Sequence, residues 1–226
     1  MHLGYLAQYR SYRLYYTHTL ILLAEYNKEI LGVAMERTII VVVGLIGAGK
    51  SETSGYIESL GIPMFRTGDV IRKAVLDRGM ELTPKNSEMM ARKLREEHGM
   101  DYPARKTGER IEKSKAGLIC VEGPRDMAEI SYLSTLGEVR LLVVTAPIDV
   151  RYERSRSRKA ANELEPKSRD PKDFEEFKWR DEKERERGQD DVISTDKYTK
   201  YVIENTGTKE ELYEKIRGII AEIKGG

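Results

Sequence analysis

Five consecutive β-branched residues, Ile39 to Val43, run directly into Gly44-Leu45-Ile46-Gly47-Ala48-Gly49-Lys50-Ser51. An unbroken apolar run without alternation is the pattern of a strand buried on both faces of a parallel sheet. The eight residues after it fit G-x-x-x-x-G-K-[ST], and the polar, helix-compatible stretch to about Leu60 follows at once. Glycines at these spacings let backbone N–H groups turn inward around an anion, and the following helix N-terminus adds partial positive charge. The segment therefore predicts a strand, a phosphate-cradling loop and a helix, in that order.

Such a loop implies a nucleoside triphosphate with Mg²⁺. Lys50 is expected to reach the β- and γ-phosphates and Ser51 to ligate the metal. Backbone from Gly44 to Ser51, with Glu52 just inside the helix, would line the donor site. ATP is the expected cofactor, since no N-K-x-D guanine motif follows the loop.

The rest of the chain alternates in the same rhythm. Met64–Phe65, Leu118–Val121, Val139–Thr145 and Tyr201–Ile203 read as strands. Helices are expected from Asp69 to Arg78, from a cap at Asn86 to Glu97, from Pro103 to Lys115 and from Lys209 to Lys224. This predicts an α/β fold, a three-layer α/β/α parallel sheet of the P-loop nucleotide-kinase type with a small helical lid. Residues 35–226 would form that domain, with the lid insert at about 151–190.

Residues 1–34 differ, holding six of the 13 tyrosines but only five charged residues. An accessory helix, a targeting segment, and translated upstream sequence with Met35 as the working start are all compatible with them. Elsewhere the composition bounds the function. The net charge of +1 gives no global pull toward nucleic acid or membrane. A single cysteine, Cys120, excludes an internal disulfide and a cysteine-built zinc site. No apolar run approaches the ~18 residues of a membrane span. A soluble, cytoplasmic protein without membrane partners is expected.

The loops after the other strands carry further candidates. Thr67-Gly68-Asp69-Val70-Ile71-Arg72 resembles the acceptor-nucleotide segment T-G-D-x-x-R of adenylate kinase, and with Gly61 to Phe65 before it is also similar to dephospho-CoA kinase. Glu122-Gly123-Pro124-Arg125 resembles the adenylate-kinase D-G-x-P-R loop, with Glu for Asp and one residue fewer. Asn205 to Leu212 resembles the end of dephospho-CoA kinases, where the loop lies near the donor adenine. Together the segments also look like an archaeal family of adenylate-kinase-related P-loop proteins. The resemblance implies an acceptor held by Thr67, Asp69, Arg72 and Arg125, a donor site reaching Asn205, and Glu122 beside the metal.

The residues themselves allow the same roles. Asp69, after a strand's carboxyl end, can hold a metal-bound water, take the proton of an attacking hydroxyl, or simply cap its helix. Arg72 and Arg125 can grip an acceptor phosphate bidentately or serve as surface ion pairs. From Arg151 to Arg187 there are 13 Lys+Arg and 11 Asp+Glu, for the most part a solvated helix laced with i,i+4 pairs. Arg154 and Arg158, four apart, are the candidates to close over the transferring phosphoryl group, as lid arginines do in the kinases named above. Arg180 is a third. Trp179, Phe174 and Phe177 are expected to anchor the lid helix, His98 to be structural and Cys120 to be inert packing.

Two functions fit these features. The first is a kinase passing the ATP γ-phosphoryl group to a small acceptor, a nucleoside monophosphate or dephospho-CoA. The second is an ATP-hydrolysing regulatory or assembly factor with a kinase-like fold, for which RNA or another macromolecule would be the partner.

Overall fold

The computed structural model describes residues 37–157 and 171–225. The extension at 1–34 and Arg158 lie outside the described residues. Five strands form one sheet: β1 (Thr38–Val43), β2 (Met64–Arg66), β3 (Leu118–Glu122), β4 (Glu138–Thr145) and β5 (Thr199–Glu204). Their spatial order is β2-β3-β1-β4-β5, and every pairing is parallel.

Because side chains alternate along a strand, β1 divides its residues between two cores. Ile39, Val41 and Val43 join Ile119, Val121, Leu141 and Val143 on one face, packed against Ala104, Ile111, Ile130, Leu133 and Val192. Ile40 and Val42 join Cys120, Leu142, Val144 and Ile203 on the other, packed against Ile57, Leu212, Ile216 and Ile220. Helices α1 (Lys50–Ser59) and α9 (Lys209–Gly225) cover the second face. Helices α4 (Tyr102–Ile111) and α5 (Met127–Leu133), with the short α8 (Asp190–Ser194), cover the first. The expected layered α/β sheet is thus the observed one, and each fully buried Ile or Val of β1 contributes on the order of 2 kcal/mol.

Helices α2 (Gly68–Leu76) and α3 (Pro84–His98) make a smaller cluster of Ile71, Val75, Met90 and Leu94. Thr83, not Asn86, caps α3: its hydroxyl accepts from the Asn86 amide at 3.1 Å, and Pro84 occupies the first turn. A proline suits that turn because its missing N–H would have no intrahelical acceptor.

Beyond β4 lie α6 (Ile148–Arg156) and α7 (Phe174–Glu184). A wide turn at Arg185–Gln189, broken at Gly188 with φ 97°, leads into α8. Phe177 is fully buried, and Tyr152 meets Phe174 and Phe177 with ring centroids 5.1 and 5.6 Å apart. Trp179 does not share that anchoring role, because it points away from this face of α7 and is 55% exposed. His98 stacks on Tyr102 at 4.6 Å, and Cys120 is buried, its thiol pushed far up by desolvation.

Candidate functional site

The loop from Gly44 to Gly49 leaves β1 at the carboxyl edge of the sheet, where ligands bind in open α/β folds. Its glycines are required by the protein's own packing. A Cβ on Gly47 would stand 2.3 Å from the Arg151 carbonyl oxygen, and one on Gly49 would stand 2.4 Å from Asn205 Nδ2. Both have φ of 77° and 109°, in the region L side chains avoid. Lys50 Nζ donates to the carbonyls of Gly44 at 2.6 Å and Leu45 at 2.9 Å, drawing the loop around its ammonium.

Glu122 ends β3, next to β1, and its carboxylate points at the start of α1. Ser51 Oγ donates to Glu122 Oε1 at 2.8 Å and Ser54 Oγ to Oε2 at 2.7 Å, while Arg66 Nε reaches Oε2 at 3.1 Å. Burial acts to raise this carboxyl's pKa. The bonds from Ser54, Ser51 and Arg66 outweigh it and hold the group below its ordinary value, so Glu122 is ionised. A hydroxyl and a carboxylate side by side at the mouth of a phosphate loop are hard oxygen donors of the kind Mg²⁺ takes alongside phosphate oxygens and water. The residues therefore fit that metal. The longer reach of Glu lets one side chain bind Ser51, Ser54 and Arg66 together.

The acceptor candidates fall into two places. Arg125, in the loop after β3, lies with Nη2 3.7 Å from Glu184 Oε1, beside the phosphate loop. Asp69 is in the first turn of α2, ion-paired to Arg72, with Arg110 Nη1 4.0 Å away on α4. It is not the helix cap, a position held by Thr67, which is buried and makes no side-chain cap bond. The Thr67 amide donates to the Glu122 carbonyl at 3.1 Å, tying the start of α2 to the end of β3.

On the opposite side, Asn205 Nδ2 donates to the Ala48 carbonyl at 2.9 Å, and its backbone amide donates to Thr145 O at 2.8 Å. Arg154 Nη1 donates to the Asn205 carbonyl at 2.8 Å, so in this state it braces the Asn205 loop. Its guanidinium is thereby tied, through Asn205, to the Ala48 carbonyl of the loop. Glu52 also turns from the loop. One oxygen bonds Lys209 at 2.9 Å and the other the Tyr213 hydroxyl, since its position on α1 faces α9. Arg180 donates to Glu176 at 2.6 Å along its own helix.

The most consequential contacts come from two acidic residues that sequence reading passed over as part of a solvated charge run. Arg151 is buried and bidentate to Asp181, at 2.6 and 3.2 Å, and also donates to the carbonyls of Ile46 at 3.0 Å and Ala146 at 3.0 Å. Glu184, three residues further along α7, accepts the Ile46 amide at 2.8 Å. Both peptide groups flanking Ile46 are thus held by α7, one directly and one through Arg151. Burial would raise the Glu184 pKa, but Lys50, Arg125 and the Ile46 amide outweigh it and keep the group below its ordinary value. The i,i+3 spacing of Asp181 and Glu184 was the available signal, and it was masked by many similar pairs around it.

Among the described residues no helix is long and apolar enough to cross a membrane, and no group of three His, Cys, Asp or Glu could hold a metal ion unaided. A family model described as an AAA domain matches residues 40–176, which contain the loop, Glu122 and Arg125. The chain is similar to a UPF0200 protein of Hyperthermus butylicus, 33% identical over 189 residues that cover 84% of this chain and 96% of the relative. A UPF0200 protein of Staphylothermus marinus is 35% identical, with 84% and 94% covered. The crystal structure of TT1252 from Thermus thermophilus shares the fold, with a TM-score of 0.55, 22% identity, and 83% of this chain and 98% of that one covered. With the AAA-domain match spanning the phosphate loop and relatives covered over nearly their whole length, the chain belongs to the UPF0200 family, and its parallel sheet with flanking helices is an α/β fold of the P-loop NTPase type.

Proposed function

We propose that this protein is a Mg²⁺-dependent phosphotransferase that moves the γ-phosphoryl group of ATP to a small acceptor. The observation that carries the proposal is the Ser51–Glu122 contact of 2.8 Å beside Lys50, because a phosphate loop whose serine faces an ionised carboxylate from the adjacent strand suits Mg·nucleotide. When bound, ATP would supply the activated phosphoryl group and Mg²⁺ would offset its negative charge. Ser51 would ligate the metal and Glu122 would hold one of its waters. Backbone amides of the loop would cradle the phosphates, and Lys50 would exchange the carbonyls of Gly44 and Leu45 for phosphate oxygens. Asn205 and Arg154, braced against each other and against Ala48, border the side expected for the donor base.

Arg125 faces the loop from the β3 end and is the arginine best placed to meet an incoming acceptor. Asp69 and Arg72, with Arg110 nearby, form a charged group on α2 and α4 that suits a nucleotide-like acceptor. The adenylate-kinase and dephospho-CoA-kinase resemblances supply the two acceptor classes. Residues 35–226 would be the working domain and the 151–190 segment its lid.

The test is ADP release by the full chain from Mg·ATP, alone and with AMP, CMP, dCMP, UMP or dephospho-CoA. A rise of about tenfold with one acceptor, matched by its phosphorylated product, is expected, and Lys50→Ala should abolish it. Normal ATP turnover by Lys50→Ala would overturn the reading.

A further inference from the structure

We propose that Glu184 is the general base of this site, so that the group attacking the phosphoryl centre is a neutral O–H, an alcohol or water, and not an acceptor phosphate. The inference rests on the phosphotransferase reading above and deepens it. Its basis is position. One oxygen of Glu184 accepts the Ile46 amide of the phosphate loop at 2.8 Å, and the other faces Arg125 of the acceptor-side loop at 3.7 Å. The carboxylate therefore stands between the two loops that a transferring phosphoryl group has to pass between.

Its side chain is 11% exposed, and its backbone is anchored rather than free to swing. Asp181, one turn earlier, is locked to buried Arg151, whose guanidinium also holds the Ile46 carbonyl at 3.0 Å. Behind Glu184 the wide turn at Arg185–Gln189 packs Gly188 against the Arg125 carbonyl, where a Cβ would come within 3.3 Å. A base needs such a fixed approach to the proton it removes.

The charges around it suit a base that engages with substrate. Lys50 and Arg125 face the carboxylate from α1 and the β3 loop, and Asp181 on its own helix opposes them. Phosphates arriving in the loop would draw Lys50 toward themselves and bring negative charge close. Both changes raise the proton affinity of Glu184 when the nucleophile is in place. An acceptor phosphate would need no base and would be repelled by this carboxylate. Asp69 is a poorer candidate, since its ion pairs to Arg72 and Arg110 lie on α2 and α4.

In the step itself, the O–H bond of the alcohol or water breaks and its proton passes to Glu184. The oxygen bonds the γ-phosphorus as the bond to the β,γ-bridging oxygen breaks, releasing ADP.

The experiment compares the full-length wild type with Glu184→Gln, Glu184→Asp and Lys50→Ala. It measures Mg·ADP affinity by calorimetry and turnover of Mg·ATP against pH, with water alone, with dephospho-CoA as an alcohol, and with AMP, CMP, dCMP and UMP as phosphates. Glutamine still accepts the Ile46 amide, so Glu184→Gln keeps the loop geometry. We expect it to bind Mg·ADP within about threefold of wild type, to turn over about 100-fold more slowly, and to lose the acidic limb of the pH profile. Glu184→Asp should recover part of the rate. Unchanged turnover in Glu184→Gln overturns the proposal, as does a tenfold gain in Mg·ADP affinity with undiminished turnover, which would make the carboxylate an occluding anion. Nucleoside diphosphate formed equally fast by wild type and Glu184→Gln overturns it while leaving the phosphotransferase reading intact. So does wild type that binds Mg·ADP yet turns over no faster than Lys50→Ala with every acceptor, except that this result also removes the phosphotransferase. Wild type that binds no Mg·ADP removes the nucleotide site and the base together.

Discussion

Replacing Asp181 with alanine should cost this domain about 3–4 kcal/mol, more than any substitution at its exposed ion pairs. The side chains of Arg151 and Asp181 are 4% and 5% exposed and meet at 2.6 and 3.2 Å. At an effective dielectric of about 20, unit charges near 3 Å attract by about 5–6 kcal/mol. Truncation forfeits that attraction and leaves a guanidinium buried beside Phe177, whose ring centroid is 5.7 Å away. The bonds to Ala146 O and Ile46 O remain and offset part of the loss, which brings the figure into the range for breaking a buried pair. The assay is urea unfolding followed by circular dichroism, with thermal melting alongside. Tm should fall by roughly 10 °C for a domain of this size. Asp196→Ala, at an ion pair whose carboxylate is 92% exposed, is the control and should leave the melt unchanged. The double replacement Arg151→Met with Asp181→Leu should recover part of the loss, because it removes both charges from the interior while leaving the Ala146 and Ile46 carbonyls without their donor. A cost below about 1 kcal/mol for Asp181→Ala would refute the reasoning, since the pair would then be solvated and could not hold α7 against the phosphate loop.

Further outcomes follow from the same geometry. Glu122 has a folded pKa below its ordinary 4.5, so the stability from its bonds to Ser54, Ser51 and Arg66 is complete above that value and lost as pH falls through the folded one. Wild type should therefore lose Tm more steeply than Glu122→Gln between about pH 5 and pH 3, and parallel curves would contradict it. Gly49→Ala forces a side chain into φ 109° with a Cβ 2.4 Å from Asn205 Nδ2, and should destabilise by about 2 kcal/mol or more and weaken Mg·ADP binding by at least tenfold, both read by calorimetry. Arg154→Ala removes the 2.8 Å bond to the Asn205 carbonyl, and if that loop borders the donor base it should weaken Mg·ADP binding by about tenfold with little change in Tm.

Sequence alone determined the features governed by local pattern. Five β-branched residues without alternation can be stably placed only with both faces buried, and the glycines, Lys50 and Ser51 after them have few other structural uses. From these came β1, the loop and α1, and the remaining apolar runs placed β2 to β5 in a parallel sheet. The order of those strands, and hence the meeting of Glu122 with Ser51, required the sheet to form. Helix caps were less legible, because Thr83 and Asn86 are both good capping types and only backbone geometry chooses between them. The charge run after β4 was the least legible. Asp181 and Glu184 look there like members of any solvated i,i+4 ladder, Arg151 stands out only by its place after β4, and Trp179 looks like an anchor. Which residues face inward depends on how α7 is rotated against α6 and the loop, a choice made by Phe177 in the core and by Arg151 beneath Ile46. The Glu184–Ile46 bond joins residues 138 apart in the chain, and no local pattern encodes a contact of that range. Sequence determined that a phosphate loop exists; tertiary packing decided which acid stands beside it, because only folding brings a carboxylate close enough to a loop amide to exclude water between them.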